Sequence, residues 1–135
     1  MRLILAVSFF TLSLATAAFA AEPLRVGVLE DLSGPYSDLG GQGTVVAVKL
    51  AAEDVSGTVL GRSIQVVSAD HQNKPDVGGL IARKWFDDGV QAIFGVPASA
   101  VALAVQQLAK ERSRIFAFTA VGADLTGKDC SPFCS

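Results

Sequence analysis

Few residues of this sequence have side chains suited to chemistry. Asp31 and Asp38 lie in the stretch "EDLSGPYSDLGGQG", Glu30 to Gly43, and Asp70 lies beside the only histidine, His71, in "ADHQNKPD". Carboxylates and an imidazole could run general acid–base chemistry if a fold gathered them. None has a partner at a recognisable spacing, and no Gly-x-Ser-x-Gly nucleophile elbow is present. His71 reads as a solvated loop residue rather than a base. Asp70 ends a predicted strand, where a ribose-binding carboxylate would sit in a dinucleotide fold. The accompanying glycine fingerprint fails, however. Gly41-Gln42-Gly43-Thr44-Val45-Val46 has valine where the third glycine is required, and it starts twelve residues after Leu29 instead of one or two. No Gly-Lys-Ser/Thr follows, so a phosphate-cradling P-loop is excluded as well.

Cys130 and Cys134 stand in the final stretch "GKDCSPFCS". A bridge between them would close a short loop and constrain little. A zinc site would need further ligands, and His71 is remote in sequence, so neither a metal nor another cofactor is expected. The 11 Lys and Arg against 13 Asp and Glu form no basic run, which argues against nucleic acid as a partner.

The elements that would position these residues follow from apolar periodicity. Met1-Arg2, the apolar run from Leu3 to about Leu14 and the small residues of Ala18-Phe19-Ala20 lay out a secretory signal peptide over residues 1–20, cut before Ala21. Its apolar part is short for a bilayer span. Residues 21–135 then form one domain with a modest core. Leu24–Leu29 reads as a buried strand. A helix over Gly43–Val55 carries Val45, Val48, Ala52 and Val55 at helical spacing, with Val46 and Leu50 widening the stripe. "SGTVLGR", 56–62, reads as a turn-rich connection, and Ser63–Ala69 as a second strand. Pro75 suits the first position of a helix running to about Asp88, burying Val77, Leu80, Ile81 and Trp85, with Gly89 to stop it. Val90–Val96 is a third strand. Ser99 is placed as the cap of a helix through Arg112, and Ile115–Thr119 is a fourth strand. Trp85, Phe94, Phe116 and Phe118 are expected in the core. Strands alternating with helices predict an α/β chain of parallel βαβ units with both faces of the sheet covered. Ligands of such sheets sit beyond the carboxyl ends of the strands. The loops of interest are therefore Glu30–Gly41, Asp70–Lys74, Pro97–Ser99 and Thr119–Asp124.

The order of these pieces carries a resemblance. "LRVGVLEDLSGPYSDLGGQG", "GTVLGRSIQVVSADHQNKPDVG", "DDGVQAIFGVPASAVALAVQQLAKE" and "ADLTG" resemble the leucine/isoleucine/valine-type periplasmic solute-binding proteins of branched-chain amino-acid ABC importers. The likeness runs from Leu24 to about Pro132. It implies a three-layer lobe of the type I periplasmic-binding fold, of which this chain would hold the first part of the N-terminal lobe, the second lobe being absent. It also implies non-catalytic capture of an amino acid or related small organic acid in the periplasm, and delivery to a permease in the inner membrane. An alternative is a truncated product without transport function, and a third reading is an enzyme on the same scaffold. The resemblance further implies a carboxylate site at Ser99, with Ala98 beside it. It implies backbone or hydroxyl contacts from Thr119, Ala120 and Val121, where relatives carry Ser or Thr in place of Gly122 or Ala123. Tyr36 and Ser33 would face the cleft from the opening loop. The sheet edge at the fourth strand is expected to lack a neighbour.

Overall fold

The computed structural model describes residues 21–133. The signal-peptide reading of residues 1–20 therefore lies outside the described residues, as does Cys134. In chain order the elements are β1 (Leu24–Glu30), α1 (Gly41–Asp54), β2 (Thr58–Val59), β3 (Arg62–Asp70), α2 (Pro75–Asp87), β4 (Val90–Gly95), α3 (Ser99–Arg112), β5 (Ile115–Phe118) and α4 (Ala123–Thr126). The sheet order is β2-β3-β1-β4-β5. All pairings are parallel except the short β2–β3 ladder. Leu29 pairs with Ala69 on one side and with Gly95 on the other, so β1 is central and the ends of β3 and β4 flank it.

Successive strand residues face opposite sides, and the helices divide accordingly. On one side α2 and α3 pack together against the sheet. Their core holds Ala82, Val101, Val105, Ile93 and Phe116, all fully buried. Gly27 is required there, because a Cβ at that position would collide with the Trp85 ring. On the other side α1 covers Val26, Ile64, Val66 and Phe94 incompletely, and an open apolar groove remains beside Val48, Ala51 and Ala52.

Several expectations change here. Helix α1 begins at Gly41, and of its predicted stripe only Val45 is fully buried; Val46, Leu50 and Val55 are about half exposed. One helix lying over a few strands has more apolar side chains than surface to bury them on. Leu80 likewise points outward, 67% exposed, because α2 turns its Gly78 and Ala82 face to the core. "SGTVLGR" contains the strand β2, folded back by positive-φ residues Ser56, Gly57, Leu60 and Gly61. Strand β3 has apolar residues on both faces, Ile64 and Val66 toward α1 and Val67 and Ala69 toward the α2/α3 core, but Ser63, Gln65 and Ser68 are exposed, as suits its place next to the sheet's edge. Phe116 is buried as expected, Trp85 and Phe118 pack against the core, and Phe94 is half-buried over the groove. The β5 edge has a neighbour at one point, where the Phe116 N–H donates to the Phe133 carbonyl at 2.9 Å.

Candidate functional site

The carboxyl ends of the parallel strands β3, β1, β4 and β5 present four loops in a row, and these carry every candidate side chain. The β1–α1 loop is held by two carboxylates. Asp31, fully buried, accepts from the Gly34 N–H at 2.8 Å and from the Tyr36 N–H at 2.9 Å. Gly34 has no side chain because a Cβ would strike that carboxylate. Asp70, at the end of β3, reaches across: its Oδ1 accepts from the Leu32 N–H at 3.0 Å and the Gln72 N–H at 2.8 Å, and its Oδ2 from the Ser33 hydroxyl at 2.6 Å. Burial works to raise the Asp70 carboxyl. The bonds from Ser33, Gln72 and Leu32 outweigh it and hold the group below the usual carboxylate range. Asp70 is therefore a staple between neighbouring loops, not a ribose ligand.

His71 differs from its sequence reading. It is wholly buried rather than solvated, and burial pushes its pKa down despite the nearby Asp31 and Asp70 charges. Nδ1 accepts from the Asn73 N–H at 3.0 Å, so the neutral ring carries its proton on Nε2, which has no partner among the described residues. This bond helps to hold Gln72 and Asn73, both at positive φ, in the turn that leads into α2. Gly78 of α2 lies close over His71, since a Cβ there would come within 3.5 Å of the His71 Cβ. No sequence pattern near "ADHQ" announced that burial, because α2 lies further along the chain.

Glu30 escaped sequence reasoning altogether. Its carboxyl is buried between the start of α1 and the end of β4. Burial raises its pKa; Thr44 and the N–H groups of Asp31 and Gly41 restrain that rise. Gly95 adopts φ +102 and leaves room for this carboxyl, since a Cβ there would collide with it. The next residue, Val96, is buried at φ 60, a strained conformation for a β-branched side chain, and it turns the chain sharply into the loop before α3.

That loop delivers Ala98 and Ser99. Ala98, not Ser99, occupies the N-cap position of α3 and makes no side-chain cap bond; Ser99 is the first helical residue. The capping role is thus corrected, and the Ser99 hydroxyl has no partner among the described residues; it stands at a helix N-terminus, where free N–H groups favour negative charge. The β5–α4 loop lies against it: a Cβ on Gly122 would come within 3.1 Å of the Ser99 Cβ. Thr119 and Val121 are exposed and Ala120 is half-buried. Buried Gln106 of α3 ties this region down, donating to the carbonyls of Leu125 and Asp129 at 2.9 and 2.8 Å. Ser33 is exposed on the opposite part of the rim, and Tyr36 is half-buried with its ring against the core cluster. The fold thus brings Ser33, Tyr36, Ala98, Ser99 and Thr119–Val121 to the same end of the sheet. Asp38 is exposed. The described residues contain no group of His, Cys, Asp and Glu able to hold a metal ion.

The row of loops has donors at its α3 end. A separate concavity lies between α2 and α3 next to Leu80. Comparison with known proteins gives the row of loops its context. The family model described as "Periplasmic binding protein" matches residues 23–134. The Leu/Ile/Val-binding protein homolog 3 of Brucella melitensis is 29% identical over 133 residues, covering 95% of this chain and 35% of its own. A solved branched-chain amino-acid ABC transporter periplasmic ligand-binding protein of Burkholderia xenovorans is 47% identical, with TM-score 0.76 over 82% of this chain and 30% of that one. A solute-binding protein of an ABC transporter of R. palustris, solved in complex with 4-hydroxybenzoate, is 26% identical with TM-score 0.73, covering 83% and 30%. The chain spans about a third of the length of the curated relatives it matches.

Proposed function

The chain belongs to the family of periplasmic binding proteins, and on that footing we propose that it supplies the N-terminal ligand-binding lobe of a solute receptor for an ABC importer. Its fold is the type I periplasmic-binding lobe, and relatives of known structure include branched-chain amino-acid transporter components. The ligand is an amino acid or a related small organic acid, captured without chemical change and handed to an inner-membrane permease. Export rests on the signal-peptide pattern of residues 1–20, with residues 21–135 as the lobe. N-terminal sequencing of the exported protein should begin at Ala21; retention of Met1 would overturn the export reading.

The observation that carries the proposal is the gathering of Ser99 and its α3 N-terminus with the Thr119–Val121 loop and the opposed Ser33 and Tyr36 at one end of the sheet. A carboxylate would sit at Ser99, accepting from its hydroxyl and from free helix N–H groups, with Ala98 beside it. Thr119, Ala120 and Val121 would contribute backbone and hydroxyl groups, and Tyr36 and Ser33 would close the other side. In a two-lobed receptor the opposing lobe supplies the remaining contacts and excludes water on closure. A single lobe therefore binds weakly. NMR titration of the full chain with leucine and with 4-hydroxybenzoate tests this. Millimolar-range shifts centred on Ser99 and Ala120 are expected. No perturbation there by either ligand at tens of millimolar would overturn the reading and favour the alternative, a fragment without transport function, with which the open apolar groove beside α1 is also compatible.

A further inference from the structure

We propose that Ser33, oriented by Asp70, is a specificity-determining residue that admits a hydrogen-bond donor of the ligand and rejects an acceptor. The inference rests on the receptor reading above and deepens it. A serine hydroxyl has one proton to give and lone pairs with which to accept. Here the proton is committed: Ser33 Oγ donates to Asp70 Oδ2 at 2.6 Å, a short bond of the charge-assisted kind. Asp70 cannot release it by turning, because its other oxygen is fixed by the N–H groups of Leu32 and Gln72. Ser33 is nonetheless exposed at the rim. What it shows to an arriving molecule is an oxygen lone pair backed by a carboxylate. A hydroxyl, amide N–H or ammonium is welcome there. An ether oxygen or a second carboxylate is not.

The opposite part of the rim has the reverse character. Ser99 opens α3 with a helix N-terminus and a hydroxyl that has no partner among the described residues, a place for an acid group. Ser33 follows β1 and is bonded to Asp70 at the end of β3, while Ser99 follows β4 on the other side of β1, so the two stand between one and two interstrand spacings apart, about 5–10 Å. The site is therefore polarised along the rim, with an anion at the α3 end and a donor toward the β3 end. A ligand fitting both ends is a small acid whose far end carries a donor, and a single ring with para substituents has a suitable length. Within the class of small organic acids, this favours hydroxy- or amino-substituted acids over plain or ether-substituted ones.

Asp70→Asn makes the test sharp. An asparagine placed as Asp70 is must direct its one carbonyl oxygen at the Leu32 and Gln72 N–H groups, which leaves its NH2 facing Ser33. The Ser33 oxygen then accepts from that NH2, and its proton is freed to point at the ligand. The preference should invert with almost no change of shape.

The probes are 4-hydroxybenzoate, benzoate and 4-methoxybenzoate, titrated into the full chain and read from backbone NMR shifts. The hydroxy compound should bind about ten-fold more tightly than the methoxy compound, the worth of one hydrogen bond made or refused. Ser33→Ala should bring the two within about two-fold of each other, and Asp70→Asn should reverse their order. Equal binding of all three probes by the wild-type chain, with shifts still centred on Ser99, overturns the donor preference and leaves the receptor reading standing. Absence of binding by every probe defeats the receptor reading, and this inference with it. Should Asp70→Asn fail to fold, the wild-type ranking and Ser33→Ala decide the matter without it.

Discussion

The two faces of the sheet are built differently. On the α2/α3 side, Ile93, Val101, Val105 and Phe116 have no exposed surface, and glycines at 27 and 78 exist because neighbouring side chains occupy the space a Cβ would need. On the α1 side, one helix with a single fully buried valine lies over Val26, Ile64, Val66 and Phe94, and a groove stays open. The first face is a finished protein interior. The second is half of one. Apolar burial stabilises in proportion to the area removed from water, so the stability of the described chain is concentrated on the α2/α3 face. The β1–α1 connection, hung on Asp31 and sitting over Glu30, together with buried Val45, holds α1 to the sheet.

Ile93→Ala should show the contrast at its largest. Removing these methyl and methylene groups from a fully buried position of β4 in the α2/α3 core should cost about 2–5 kcal/mol. For a small domain that is a large part of the total. Urea denaturation followed by Trp85 fluorescence measures it, and a loss below about 1 kcal/mol would contradict the packed interior.

Asp31→Ala should come next and widen the contrast by loosening α1. It leaves the Gly34 and Tyr36 N–H groups without their acceptor, a cost of about 1–3 kcal/mol if water does not replace it. Amide hydrogen exchange would locate the damage. Faster exchange at Gly34, Tyr36 and the first turn of α1, with α3 protected as before, is the expected pattern. Uniform acceleration throughout the chain would show instead that the loop is integral to the main core.

Glu30→Gln should act in the opposite direction. Burial raises the Glu30 pKa, so the folded state holds this proton more tightly than the unfolded chain does. The group's contribution is fully present below its ordinary value of 4.5 and is lost as pH rises through the folded value. Gln cannot ionise, so the variant should be more stable than wild type at pH 7. The gain should vanish below pH 4.5. Thermal melts at pH 4 and pH 7 measure the difference, and a variant less stable than wild type at pH 7 would mean that the Glu30 charge is favourably held by Thr44 and the α1 N-terminus.

How far the sequence revealed this structure depended on whether a feature was local or assembled. The strands, α2 and α3 were legible because their apolar spacing is set by the burial of each segment, and Pro75 and Gly89 mark the limits of α2. Helix α4 and strand β2 were not, being too short for any period to register. Leu80 and Leu50 misled because spacing records which residues share a face without saying that a surface exists to bury them. At the rim, Ser33, Tyr36 and Ser99 could be placed on their loops from the sequence, since strand ends dictate where loops gather. Their hydrogen bonds could not be read in advance. Asp70 meets Ser33 only because β3 lies beside β1, and Glu30 and His71 are buried by elements far along the chain. Ser99 stands one residue past the cap position, which Ala98 occupies, an offset too small for sequence spacing to register.

The smallest effect should come from Leu50→Ser, and its smallness is what makes it informative. Leu50 is 53% exposed on α1 beside Val46, itself 47% exposed. If that face is free in solution, exchanging leucine for serine removes little buried area, and stability should change by no more than about 0.5 kcal/mol. Solubility should rise, since exposed apolar surface promotes association. Denaturation of dilute samples together with sedimentation velocity separates these outcomes. A loss of 2 kcal/mol or more, accompanied by a shift from dimer to monomer, would mean that a second copy covers the α1 face. The half-finished side of the sheet would then be completed between chains, and the contrast between the two faces would belong to the isolated chain alone.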